Sequence, residues 1–316
     1  MNENEIKAFY TYLQSQQTAQ NFLMNCYQNE NEAEIKSYEN CNSFMYYIKH
    51  GLHFYKTGKK TNIIAQPILF FYGLIHLLKA TLLTKRPNYP ETTKLLAHGV
   101  SSRKRKKKQY SFMNDEVRIQ YQGLFPYFSK HLFAIDKFPF EKIKMKNLFA
   151  LIPEMNTFFN FREEKKMIPI GMIGEEKLSF PMNILDDYHL TENAFLQRIR
   201  PFIPDVHSIH SDLKYIHIEL TTPILNTTSP FFLHIENNKI YFPMSREHFF
   251  SISEVMVHYL LLYNLSMISR YETEWWGDLI TNTPDIDYPL IVHFLKVTSE
   301  KMPFFLGQEL YHLHCQ

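Results

Sequence analysis

Glycine is scarce, with nine residues in a chain of 316. There is no G-x-G-x-x-G run and no G-x-x-x-x-G-K-S/T run, so the glycine-rich loops of dinucleotide-binding and P-loop proteins are excluded. The same scarcity disfavours the turn chemistry of propellers and sandwiches. Cysteine is scarcer still: Cys26, Cys41 and Cys315 show no C-x-x-C spacing, and an odd number leaves at least one unpaired in a monomer. A reducing, cytoplasmic setting fits that usage. His312 and His314 beside Cys315 fall in a short tail expected to fray, so neither a metal nor another cofactor is assigned. The stretch from Met1 to Tyr10 lacks a basic segment followed by an apolar one, so no secretory leader is expected. No repeat at a period of roughly 20 to 50 residues is evident.

What the chain has is apolar and aromatic surface, 45% and 16% of its residues, enough for a large core in one large or two ordinary domains. Its longest apolar run, Pro67 to Leu83, contains Tyr72, Gly73, His76 and Lys79 and falls short of the ~20 apolar residues that span a bilayer. It is read as a buried core helix, with no membrane partner. Soon after it come six consecutive cations, Arg103 to Lys108. They exceed the whole net charge of +2, so the rest of the chain is net acidic and the basicity is one local patch. Such a patch fits a single phosphate-bearing or acidic contact, or a solvated loop.

Periodicity predicts helices over 3–28, Tyr38 to Thr57 (closed by Gly58, Lys59 and Lys60) and Pro67 to Thr84. A strand pair is expected within Tyr110 to Gln122, then helices at Phe128 to Phe133 and, amphipathic, at Leu148 to Phe159. Near Arg162 the character changes to β-type runs, MIPIGMI, YIHIEL, FFLHI and KIYFPM, with Asn237-Asn238 as a hairpin signal and one helix opened by Thr191. Ser251-x-x-Glu254 reads as a capping box for a helix through Arg270 and Tyr271, and a last helix is expected near Tyr288 to Lys301, followed by a tail. The fold class is therefore mostly α with an inserted β region, α+β. The expected segments are 1–162 helical, 163–246 β-rich and 247–316 helical, the last packing on the first in one bundle.

Within the third helix Tyr72, His76 and Lys79 fall at i, i+4 and i+7, one polar stripe on an apolar cylinder. Tyr259, Tyr263, Ser266 and Arg270 form a similar stripe, with Glu274 one turn beyond to hold the guanidinium if the helix continues. Each stripe is either a set of satisfied core residues or one wall of a pocket. As candidate catalytic residues, His98 supplies an imidazole that titrates near neutrality, Arg270 a bidentate cation, and Glu274 an orienting carboxylate or base. Candidate ligand-binding residues are Tyr72, His76, Lys79, Ser101, Ser102, Arg103, Lys104, Arg105 and Trp276.

The runs QPILFFYGLIHLLKA, HGVSSRKRKKKQYSF, GLFPYFSKHLF and SMISRYETEWW together resemble the YaaC-like proteins of Firmicutes, over essentially the whole chain. The resemblance implies a bacterial, cytoplasmic protein and no particular activity. A more distant architectural similarity is to HEPN-like helical bundles, whose nucleases place an arginine and a histidine about one and a half turns apart on one helix. Here Arg200 and His207 have that spacing, but Pro201 and Pro204 interrupt it. A HEPN-like site would need convergence from separate segments, such as His98 with Arg270.

Three functions follow as expectations. The first is binding of a phosphate-bearing ligand, nucleic acid or nucleotide, through the basic run and the helix stripes. The second is a nuclease or another phosphodiester or glycosidic hydrolase working with His98 and Arg270. The third is a non-catalytic interaction module docking a protein partner through Trp275 and Trp276.

Overall fold

The structure is a computed structural model that describes residues 3–102, 110–225 and 227–315. The basic run Arg103 to Lys108, with its candidate residues Arg103, Lys104 and Arg105, lies outside them. The chain divides into two compact units, residues 1–145 with 258–316, and residues 146–257.

The first unit opens with α1 (Glu3–Tyr12) and α2 (Gln16–Cys26). The single helix expected over 3–28 is broken at Ser15, whose extended backbone and hydroxyl cap α2 by accepting the Thr18 N–H at 3.3 Å. Then come α3 (Ala33–Lys60) and α4 (Gln66–Lys85), joined by a short loop and packed antiparallel, since Gly51 faces Gly73 and Leu77 while Gly58 faces Phe70. Glycine is required here by proximity: a Cβ on Gly73 would lie 2.9 Å from the Tyr55 ring and 3.2 Å from the Gly51 carbonyl. Helix α4 is long and apolar enough to cross a membrane, but its apolar window is 72% buried within the protein. From Phe70 to Thr84 every residue is buried except Tyr72, His76 and Lys79.

A three-stranded antiparallel sheet follows, β1 (Val100–Ser102), β2 (Glu116–Ile119) and, after α5 (Leu124–Phe133), β3 (Lys142–Lys144). The strand pair expected inside Tyr110 to Gln122 is thus a single strand whose partners come from either side of that window.

The second unit begins at the second residue of α6 (Met145–Phe149) and continues with a 3-10 turn at Pro153–Met155 and α7 (Asn156–Asn160). The amphipathic helix expected over Leu148 to Phe159 is interrupted because Ile152 is extended and Pro153 has no N–H to continue the ladder. The Asn156 side chain accepts the Met167 N–H at 3.1 Å and Glu154 accepts the Ile235 N–H at 3.0 Å, so this segment belongs with the strands. The division therefore falls at 145/146, ahead of the change in sequence character at Arg162. Next come β4 (Met167–Met172), β5 (Lys177–Pro181), α8 (Ile184–Tyr188), α9 (Glu192–Ile199, capped by Thr191), β6 (Val206–Ser211), β7 (Tyr215–Leu220), β8 (Phe232–His234) and β9 (Lys239–Pro243). They form two antiparallel sheets, β4-β9-β8 and β5-β7-β6. Ile170, Phe242, Leu178, Phe180, Ile216 and Ile218 from both sheets meet Tyr188 and Phe195 in one core. The β8–β9 hairpin turns at Asn237-Asn238, Asn238 taking the left-handed conformation at φ 57°.

The chain then runs through α10 (Glu254–Tyr271), α11 (Thr273–Asn282) and α12 (Asp287–Cys315). Ser253, rather than Ser251, caps α10, accepting the Val255 N–H at 3.3 Å. The expected tail is helical to Cys315: α12 continues through Pro303, whose carbonyl accepts the Tyr10 hydroxyl at 2.9 Å. The result is a mostly helical α+β protein with small antiparallel sheets.

The α3–α4 approach has a direct test in urea denaturation. Gly73→Ala gains about 1 kcal/mol of helix propensity but overpacks an interface where such insertions cost roughly 1–3 kcal/mol, so a net loss of stability is expected. Gly277→Ala, inside α11 with nothing near the new methyl, is expected to stabilise. A gain at both positions would show that the two helices can separate freely.

Candidate functional site

The open stripe of α4 meets an aromatic stripe of α3. Tyr47, His50 and Phe54 recur at i, i+3 and i+7, which places them on one face. Their ring centres lie 5.8, 5.5 and 5.6 Å from that of His76, Phe54 stacking on it with an interplanar angle of 7°. Lys79 Nζ sits 5.6 Å above the Tyr47 ring, a cation–π contact. Tyr72 packs against Phe54 at 6.5 Å. Burial, reinforced by the charges of Lys79 and His50, pushes the His76 imidazole down to about 4, and burial also lowers Lys79. His76 Nδ1 is buried with no hydrogen-bond partner among the described residues.

His98 is held by its backbone. Gly99 (φ +77°) and Gly123 (φ +120°) take conformations that other residues rarely adopt and touch closely, a Cβ on Gly123 falling 2.5 Å from the Gly99 Cα. That contact brings the first turn of α5 onto the loop: Leu124 N–H donates to the Ala97 carbonyl at 2.7 Å and Phe125 N–H to the His98 carbonyl at 3.1 Å. The Tyr259 hydroxyl of α10 donates to the same His98 carbonyl at 2.9 Å. The imidazole lies among Phe71, Tyr263 and Tyr72, at 5.1, 5.7 and 6.3 Å. Burial lowers its proton affinity first, and the charges of Arg270 and Lys79 lower it further. At neutral pH the ring is therefore an unprotonated base, and the positive charges of Arg270 and Lys79 disfavour its protonation.

Arg270 is steered by its own helix. Its Nε donates to the Ser266 carbonyl at 2.9 Å, and the guanidinium lies 5.2 Å from the Tyr271 ring centre. The expected pairing with Glu274 does not form. Helix α10 stops at Tyr271 because Glu272 leaves helical geometry (φ −117°, ψ 53°), and Glu274 sits exposed in the first turn of α11. Among the described residues no carboxylate forms an ion pair with Arg270 or Lys79.

The remaining candidates lie apart from these groups or are used structurally. Ser101 and Ser102 lie in β1, opposite Arg118 and Val117, and the Ser101 hydroxyl accepts the Gln120 side-chain N–H at 2.6 Å. Trp276 is 1% exposed, and its indole N–H donates to the Ile64 carbonyl at 3.0 Å. Its ring is packed in the core of the helical unit. Trp275 packs edge-on against Tyr110 at 4.6 Å. Sequence reading missed Tyr47, His50 and Phe54, although their helical spacing around Gly51 was there to be read.

Fold and site together define a mostly helical α+β protein whose helical unit carries a half-buried aromatic and cationic face. The chain belongs to the YaaC-like protein family, whose model matches residues 11–310. No curated protein and no solved structure matches it.

The burial of His76 makes stability depend on pH. Its folded value lies below that of an exposed imidazole, so between about 6.5 and 4 the unfolded chain binds the extra proton. The contribution is present above pH 6.5 and is lost as pH falls towards 4. His76→Gln is expected to flatten the decline of the urea midpoint over this window, and an unchanged slope would contradict the assignment.

Proposed function

We propose that the face formed by α3, α4, His98 and Arg270 binds a phosphate-bearing ligand, a nucleotide or a nucleic acid. One observation carries the reading: Lys79 and Arg270 are both half-buried, and neither has a carboxylate partner among the described residues. Half-buried cations are ordinarily paired, so an unneutralised pair around a neutral imidazole favours an anion. Arg270 offers a planar fork to phosphate oxygens and Lys79 a point charge. The half-buried rings of Tyr47, Phe54 and Tyr72 offer surfaces for a base, a type of contact worth about 1–3 kcal/mol per stacked base. The cations Arg103 to Lys108, which follow β1 in sequence, add salt-sensitive attraction.

A second reading rests on His98 itself. An unprotonated imidazole whose carbonyl accepts two hydrogen bonds, with its ring free of hydrogen bonds among the described residues and a guanidinium acting on it, suits general-base cleavage of a phosphodiester or glycosidic bond. In that reading His98 takes the proton and Arg270 meets the developing negative charge. A HEPN-like nuclease would require such a convergence of separate segments.

Fluorescence anisotropy with labelled RNA and single-stranded DNA, and thermal shift with nucleotides, across a salt series, test the first reading. Lys79→Ala and Arg270→Ala are each expected to weaken binding about tenfold or more, since a hydrogen bond to a charged group contributes roughly 1.5–3 kcal/mol, and to reduce the salt slope by about one. No binding at low salt would overturn the proposal, and binding indifferent to both substitutions would move it elsewhere. Hydrolysis that survives at full rate in His98→Ala would remove the catalytic reading.

A further inference from the structure

The second unit carries a cluster that the helical face does not use. Strand β7 alternates, with Ile216, Ile218 and Leu220 buried in the core, so Tyr215, His217 and Glu219 point to the opposite, solvent side of the sheet β5-β7-β6. The register sets Ser179 of β5 and His210 of β6 beside His217 on that side. Ser179 Oγ lies 2.9 Å from His217 Nδ1, and Asp212 Oδ2 lies 3.5 Å from His217 Nε2. A hydroxyl, an imidazole and a carboxylate are thus joined in sequence, each on a different ring nitrogen.

The third member is fixed rather than incidental. Asp212 sits in the turn between β6 and β7, where its Oδ1 accepts the N–H groups of Lys214 at 2.7 Å and Tyr215 at 2.8 Å. Those two bonds hold the carboxylate ionised and leave Oδ2 directed at the imidazole. A carboxylate against Nε2 selects the tautomer with its proton there, so Nδ1 is the acceptor and the Ser179 hydroxyl the donor. The His210 ring, 4.9 Å from that of His217, and the Tyr215 ring, at 5.8 Å, flank the base. Leu213, at the tip of the same turn, is 99% exposed and adds apolar surface beside the polar trio.

We propose that Ser179, His217 and Asp212 form a nucleophilic serine site that accepts acyl groups from small activated esters. A nucleophile within hydrogen-bond reach of a base that a third group orients is the arrangement such catalysis requires, and it is recognised by geometry rather than by order in the chain. Ser179 Oγ attacks the ester carbon while its proton passes to His217 Nδ1, and Asp212 stabilises the imidazolium through Nε2–H. The carbon–oxygen bond to the leaving alcohol then breaks and that alcohol takes the proton from Nδ1. Water repeats the cycle on the seryl ester, so ester and water become acid and alcohol with no redox change. The solvent-facing position supplies little enclosing surface to bind and orient a substrate, so reactivity must come from an activated ester. Proton transfer by a positioned base contributes roughly 10²–10⁴-fold, a scale suited to activated esters rather than amides.

The test uses the full chain with a fluorophosphonate probe, read by intact mass and peptide mapping, and 4-nitrophenyl acetate as chromogenic ester. A single adduct on Ser179 is expected, absent in Ser179→Ala. His217→Gln and Asp212→Asn should slow labelling and ester turnover at least tenfold while circular dichroism and melting temperature stay unchanged. Absence of an adduct at Ser179 under excess probe at pH 8 would overturn the proposal. So would labelling of Ser179 at the wild-type rate in His217→Gln, because the serine would then owe nothing to the base.

Discussion

The close approach of α3 and α4 is the constraint on which the helical unit depends. Gly51 and Gly73 supply no side chain where the helix backbones meet, a Cβ on either lying only 3.1 or 3.2 Å from the other's carbonyl oxygen, and Gly58 makes room for the Phe70 ring. Burial then takes up almost the whole circumference of α4, and only one narrow strip remains open. Polar side chains on such a helix have nowhere else to go. Tyr72, His76 and Lys79 occupy that strip, and the same contact sets Tyr47, His50 and Phe54 against them. Core packing and site geometry therefore have a single origin.

Electrostatics gives the strip its character. Two cations and the imidazoles of His76 and His98 share a half-buried region, and among the described residues no acid neutralises the cations. Desolvation keeps the imidazoles neutral, and each added positive charge disfavours their protonation further. An anion arriving there would offset the repulsion by the cations and favour protonation of the imidazoles, strengthening its own binding. The buried acids of the unit are used elsewhere. Asp115 accepts the Tyr110 hydroxyl and an Asn264 N–H, and Asp287 accepts the N–H groups of Phe112 and Met113. They fix the segment that follows the basic run rather than balancing Lys79 or Arg270.

Much of this was legible in the sequence because burial follows periodicity. The extent of α4, its three polar residues and the switch to strands beyond Arg162 could all be read from spacing. The hairpin at Asn237-Asn238 and the cap at Thr191 were legible for the same kind of reason, a local preference that tertiary contacts reinforce. What spacing could not give is where a helix stops without a breaker. Glu272 ends α10 with neither glycine nor proline, which separates Arg270 from Glu274, whereas Pro303 sits inside α12 without ending it. Nor could composition reveal that Trp276 spends its indole N–H on a loop carbonyl, or that Ser179, His217 and Asp212 meet across strands far apart in sequence.

Chain order adds a consequence to the pairing of α1 with α12. The Tyr10 hydroxyl reaches the Pro303 carbonyl, Phe9 packs on Tyr311, and Gly307 admits Ile6 and Tyr10 against the helix backbone. The helical unit is thus built from both sides of a contiguous insertion that has its own core. On the ribosome the strand-rich unit can close as soon as residue 257 emerges, whereas α1 to α4 must wait for Tyr263, Arg270 and α12. During that interval α4, the most apolar helix of the protein, is without its final cover.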